Sequence, residues 1–204
     1  MTSELATLQA IRLKGKPNLA DIAWATNTAE NEAAVILRAL LNEDMCREAE
    51  ECFSLTRSGR DRLNLLLTQE GKCIDRIALS EIYGRFDAYN SDLKRIVTDW
   101  QLKNETTPND HVDVIYDAGV VGRLAELHEK FKPELAEMVE IAPRLAAYPN
   151  RFAAALAKIQ CGEYIWFARP MIDSYHTVWF EMHEDLIGLS GLTRAGESAA
   201  GRAS

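Results

Sequence analysis

The sequence predicts a mainly α fold in two parts: three helices and a small β-hairpin over residues 1–71, then an all-helical region over 72–191. Two observations predict it. Apolar residues recur every three or four positions through most of the 204 residues, the period of one helix face. The stretch that breaks this pattern, "CREAEECFSLT", is hairpin-sized, with Phe53 and Leu55 in alternation. At 47% apolar residues, a chain of this length can bury a core without disulfide or metal staples.

Leu5, Leu8, Ile11 and Leu13 give the first helix its apolar face, and Gly15 and Pro17 in "GKPN" end it. Asn18 can cap a short second helix, "LADIAWAT". The third, "NTAENEAAVILRALLNEDM", carries Asn27 and Glu30 at the spacing of an approximate capping box. After the hairpin, "RSGRDRLNLLLTQE" restarts a helix beyond Gly59. This order is that of a winged helix-turn-helix. "LLNEDMCREAEECFSLTRSGRDRLNLLL" resembles the corresponding part of MarR- and PadR-type regulators, where a Leu-Thr, two residues and a Gly introduce the helix after the wing. The resemblance extends to the boundary expected near Gly71.

In the second part, Ile74, Ile77, Ile82, Phe86, Leu93, Ile96, Val97 and Trp100 recur at near-helical spacing and predict one long or kinked helix. "KNETTPND" reads as a polar loop. The segment "VDVIYDAGVVGRLAELHEKFKPELAEMVEIAPRLAAY" is helical again, with Pro133 and Pro143 expected to bend or divide it. "PNRFAAALAKIQCG" is a short Ala-rich helix, and "EYIWFARP" joins it to the last helical stretch. Small polar residues over 192–204 predict a frayed tail.

Charge and cysteine usage exclude several function classes. Lys and Arg number 23 against 31 Asp and Glu, a formal net charge of −8 that repels a polyanion. In a DNA-reading winged helix the third helix enters the major groove. Here its first turns read "TAENEAAVILR", with Glu30 and Glu32 where phosphates would pass and Arg38 the only cation before the helix ends. The hairpin sets Glu48, Glu50 and Glu51 against Arg47. Arg57, Arg60 and Arg62 are the clustered cations, so DNA reading would rest on Arg38, Arg57 and Arg60. Local charge favours the other use of such a unit, docking a protein partner or packing on the rest of the chain. Cys46, Cys52, Cys73 and Cys161 form no C-x-x-C pair and have no His at ligand spacing, so neither zinc nor a disulfide framework is expected and a reducing cytoplasm fits. No secretory leader is expected, for the first residues show no basic-then-apolar pattern, and charge breaks every apolar run before bilayer length.

The chemistry-bearing stretch is "RPMIDSYHTVWFEMHEDLIGL", residues 169–189. If it is helical from Met171 to Gly188, then Ile172, His176, Trp179 and His183 share one stripe, with Asp173 a turn before His176. The histidines stand seven residues apart, roughly 10 Å along the axis. One metal cannot take both, and no H-E-x-x-H is present, so no metal site is expected. The functional reading is a pocket in which Trp166, Phe167, Tyr175, Trp179 and Phe180 enclose a ring. His176 or His183 would take a proton from a substrate hydroxyl, Asp173 would fix the tautomer, and Arg169 would hold an anion. His128 in "ELHEKF" is a further candidate from another helix. The competing reading makes the aromatics plain core and the histidines structural. The sequence holds no P-loop, no G-x-G-x-x-G and no G-x-S-x-G, so phosphoryl transfer would need a partner.

"WFARPMIDSYHTVWFEMHEDLIGLSG" resembles the C-terminal signature of small proteins that accompany dikinase-type enzymes related to phosphoenolpyruvate synthase. Among these are two-component kinases acting on hydroxyphenyl ketones in lignin-aromatic catabolism. The match is most specific over Trp166 to Leu186. The resemblance implies a large partner carrying ATP-grasp and phosphohistidine domains. ATP and Mg2+ would bind there, and this chain, itself without a cofactor, would supply or complete the site for a phenolic acceptor. The alternative is a ligand-responsive MarR- or PadR-like regulator whose helical part dimerises and binds an aromatic effector.

Overall fold

The structure, a computed structural model, describes residues 2–104 and 106–192. Residues 193–204, which hold most of the expected tail, lie outside the described residues. The fold is mainly helical, with a small antiparallel hairpin in its first third.

Helix α1 (Thr2–Lys14) stops at Gly15, whose φ of 79° suits a residue without a Cβ. Asn18 opens α2 (Leu19–Thr26): its side chain accepts the Asp21 N–H at 2.9 Å, and the Asp21 carboxylate accepts the Asn18 N–H at 3.1 Å. Asn27 does not cap the third helix as its spacing suggested. It ends α2 in the left-handed region, at φ 52°. Helix α3 (Glu30–Asn42) starts instead after Ala29, whose N–H is accepted by Glu32 at 3.4 Å.

Strands β1 (Cys46–Ala49) and β2 (Cys52–Leu55) pair from Cys46↔Leu55 to Ala49↔Cys52, leaving Glu50 and Glu51 as a two-residue loop. The Leu-Thr-x-x-Gly motif then starts α4 (Arg57–Cys73) for a visible reason. The Thr56 hydroxyl accepts the Gly59 N–H at 3.0 Å and donates to the Asp44 carbonyl at 2.6 Å. A Cβ on Gly59 would stand 1.8 Å from the Met45 carbonyl oxygen, so only glycine lets the helix start so close to the hairpin.

Gly71 lies inside α4, and the chain turns between Cys73 and Arg76. Helix α5 (Arg76–Gln101) runs unbroken. The polar loop after it holds a two-residue ribbon, β3 (Leu102–Lys103) with β4 (Thr107–Pro108). Helix α6 (Val114–Ile141) returns alongside α5: Tyr116 reaches Asp99, Tyr89 reaches Lys130 and Arg85 pairs with Glu134, a falling register that makes the two antiparallel. Pro133 sits within α6 without dividing it, whereas Pro143 does end it and opens a 3₁₀ turn (Pro143–Ala147). Helices α7 (Tyr148–Gln160), α8 (Ile165–Ala168) and α9 (Tyr175–Leu189) complete the chain.

Two apolar clusters form. One gathers Leu8, Ile11, Ile22, Leu37, Leu40 and Leu63 from α1–α4, and the other gathers Phe86, Leu124, Phe131, Phe152, Trp179 and Leu186 from α5–α9. Buried polar groups stitch them together. Asp185 on α9 accepts Gln9 of α1 at 2.6 Å, Tyr148 at 2.6 Å and Arg144 at 2.8 Å, and Arg144 also pairs with Glu70 of α4 at 3.0 Å. Arg144 and Asp185 are almost fully buried, so their charges are kept by mutual pairing.

Candidate functional site

Where α1 and α2 face α7, α8 and α9, the two halves do not close on each other. They leave an open cavity of about 780 Å³, in the range of a small-molecule site. Leu13, Pro17, Ala20 and Trp24 line one side. Ala154, Trp166, Ile172, His176 and Phe180 line the other.

The last helix begins later than the periodicity suggested. Met171 adopts a left-handed backbone at φ 66°, and Ser174 caps α9 by accepting the Thr177 N–H at 3.3 Å. Residues 169–174 are therefore a loop, which Pro170 helps keep out of the helix. Asp173 is not one helical turn below His176. It points instead to Arg151, which donates Nε and Nη2 to its two oxygens at 2.8 and 2.9 Å and Nη2 also to Glu181 at 2.5 Å. Lys14 from α1 closes the quartet, pairing with Asp173 at 2.5 Å and with Glu181 at 3.2 Å.

This quartet forms a charge-balanced wall of the cavity. Burial alone would raise the Asp173 carboxyl, but the Arg151 hydrogen bonds and the Arg151 and Lys14 charges prevail and hold it at about 2. Asp173 is thus an ion-pair member and does not orient His176. The imidazole of His176 is accessible from the cavity, and the protein packed around it lowers its pKa below the usual 6.5 by desolvation. No described residue hydrogen-bonds to it. It is a neutral base at pH 7 with a ring nitrogen open to a ligand.

No family model, curated protein or solved structure matches this chain. Its site rests on its own geometry.

Of the residues expected to form a pocket, His176, Asp173, Trp166 and Phe180 line the cavity. The others do not join them. His183 is buried further along α9, its Nε2 3.2 Å from the Tyr83 hydroxyl and its ring edge-on to Phe86. Trp179 stacks on Phe86 and donates to Asn90 at 3.1 Å. Seven residues do bring His176 and His183 nearly to the same side of a helix, but His183, two turns further on, packs against Tyr83 and Phe86 of α5, while His176 is exposed. Tyr175 and His128 form a buried pair at 3.2 Å, with His128 lowered by desolvation. Phe167 stacks on Trp100 in the core. Arg169 is exposed and lies outside the cavity lining.

Sequence reasoning missed Arg151, Trp24, Lys14, Lys16, Lys158 and Glu181, all of which line the cavity. One signal was available. Arg151 falls on the stripe of α7 formed by Tyr148, Phe152, Ala155 and Ile159, all buried, and a charge on such a stripe needs buried partners. Trp24 had none, because which helices meet across the chain is not written in local spacing.

Arg38, Arg57 and Arg60 are exposed, far in sequence from the cavity lining, while Arg62 already pairs with Glu4 at 2.7 Å. Glu30, Glu32, Glu48, Glu50 and Glu51 are exposed on the same part of the molecule. Among the described residues no cluster of His, Cys, Asp and Glu could hold a metal, and no helix is long and apolar enough to cross a membrane.

Proposed function

We propose that this chain is the acceptor-binding subunit of an ATP-dependent two-component phosphotransferase acting on a phenolic aromatic, and that α1–α4 with their hairpin are a winged helix used as a scaffold. The observation that carries the reading is His176, unpaired and kept neutral, in a cavity walled by Trp24, Trp166 and Phe180. A phenol ring seated between these aromatics presents its hydroxyl to the imidazole. ATP, Mg2+ and the phosphohistidine belong to a dikinase-like partner. As the phenolic O–P bond forms and the partner's N–P bond breaks, the phenolic proton passes to His176 and the partner's imidazole recovers its electron pair. His183, buried beside Tyr83 and Phe86 away from the cavity lining, has a supporting role in this reading.

The winged-helix reading is supported by the helix order, the two-residue hairpin and the Thr56–Gly59 start of α4. Its acidic outer face supports scaffold use over DNA reading. The test mixes the chain with the dikinase-like protein encoded beside it, ATP, Mg2+ and 4-hydroxyacetophenone. Phosphorylated phenol is expected, with His176→Ala slowed by about 10²-fold or more and His183→Ala retaining the chemistry once folded. No product, or full activity in His176→Ala, rejects the reading.

The second reading is a ligand-responsive regulator, favoured by one observation: the cavity is lined by α2, the helix that leads into the outward-facing α3. A gel shift on the chain's own upstream DNA that weakens with salt and with an aromatic ligand would establish it. Loss of the shift in Arg57→Ala/Arg60→Ala would place the contact.

A further inference from the structure

The charges lining the cavity are of two kinds. Asp173 and Glu181 are neutralised within the quartet by Arg151 and Lys14, and the Asp21 carboxylate is engaged at the start of α2. Lys16 and Lys158 are different, for no described carboxylate lies within ion-pair distance of either. Lys158 is nonetheless held in place. Its Nζ sits 3.3 Å from the centre of the Trp166 ring, and that ring is fixed in turn by its own Nε1 donating to Glu163 at 3.2 Å. In a chain of net charge −8, the cavity therefore carries two ammonium groups free to meet a ligand. Beside them, Trp24 and Phe180 stand 47% and 42% exposed, enough open aromatic surface to stack on a ring.

We infer that Lys16 and Lys158 form an anion subsite, so that the cavity takes an aromatic molecule carrying a phosphoryl or carboxylate group. The ring stacks against Trp24 and Phe180, and the anion receives charge-assisted hydrogen bonds from the two ammonium groups. Under the phosphotransferase reading, on which the choice of a phosphoryl anion rests, the same two lysines hold the group that has just been transferred. Under any other reading they select an aromatic carboxylate over a neutral ring.

The experiment is calorimetric titration of the full chain with phenol, phenyl phosphate and benzoate, at low and high salt. Phenyl phosphate is expected to bind about tenfold or more tightly than phenol, and added salt should erode that advantage. Lys16→Ala/Lys158→Ala should bring phenyl phosphate down to the affinity of phenol while leaving phenol unchanged. Lys16→Arg/Lys158→Arg should keep the preference. Benzoate binding more tightly than phenyl phosphate would make the natural anion a carboxylate. Equal affinity for phenol and phenyl phosphate, or loss of both ligands in the alanine pair despite an unchanged circular dichroism spectrum, overturns the subsite. Binding of phenyl phosphate without phenol would keep the subsite and sink the phenol-acceptor reading. Binding of none would sink both.

Discussion

Asp173 shows how far a residue's role depends on the backbone around it. Read as helical, it belongs with His176. Placed in the loop before Ser174, it belongs with Arg151 and Lys14. The helical period was legible from Tyr175 onward, but the point where it begins depends on the Ser174 cap and the left-handed Met171, which apolar spacing does not report. The ion pairing has a consequence in pH. The Asp173 carboxyl is held at about 2, below its ordinary 3.8, so protons bind it less readily in the folded chain than in the unfolded one. Its pairing contributes stability above about pH 4, and that contribution is lost as pH falls through about 2. Asp173→Asn should therefore be destabilised at neutral pH, with its urea midpoint converging on that of the wild type as the acid is titrated. A constant gap between the two midpoints from pH 6 to about pH 2 would show that the charge of Asp173 does not act this way.

At the scale of elements, sequence patterns reported most where local chemistry decides the outcome. Asn18 caps α2, Gly15 ends α1, and Thr56 with Gly59 starts α4, because each of these needs only its immediate neighbours. The hairpin is legible in the same way, but its turn is not an easy one. Glu50 and Glu51 both adopt positive φ, 53° and 62°, and a two-residue loop of that form favours Asn-Gly. Neither glutamate gains from the left-handed region, where a Cβ crowds the following carbonyl. Glu50→Asn/Glu51→Gly should raise stability by about 1 kcal/mol in urea unfolding and leave ligand affinity in the cavity untouched. If the substitution is instead neutral for stability yet abolishes activity in the proposed two-component phosphotransfer assay, the strained acidic turn is a contact for the kinase proposed there and its cost is offset by function.

At the scale of the molecule, the deciding interactions join residues that no local pattern connects. Gln9, Glu70, Arg144, Tyr148 and Asp185 come from five different elements, and Lys14 reaches across to Asp173 and Glu181. The Gln9–Asp185, Glu70–Arg144 and Lys14 bonds join the two halves, and the Arg144–Asp185 and Tyr148–Asp185 bonds tie the second half's share of that junction together. Separating the halves would leave Arg144 and Asp185 paired with each other but would take Gln9 from Asp185, Glu70 from Arg144 and Lys14 from Asp173 and Glu181, and a buried charged group that loses a partner is destabilised. Such a junction is expected to make the two clusters unfold together. Urea unfolding followed by far-ultraviolet circular dichroism should give a single transition. It should coincide with fluorescence from variants retaining only Trp24 in the first cluster's region or only Trp179 in the second's core. Arg144→Met leaves Glu70 and Asp185 without their cation, and should both lower the midpoint and split the two fluorescence transitions. Split transitions already present in the wild type would mean that the polar junction is too weak to couple the halves, and that the ligand itself must hold the cavity together.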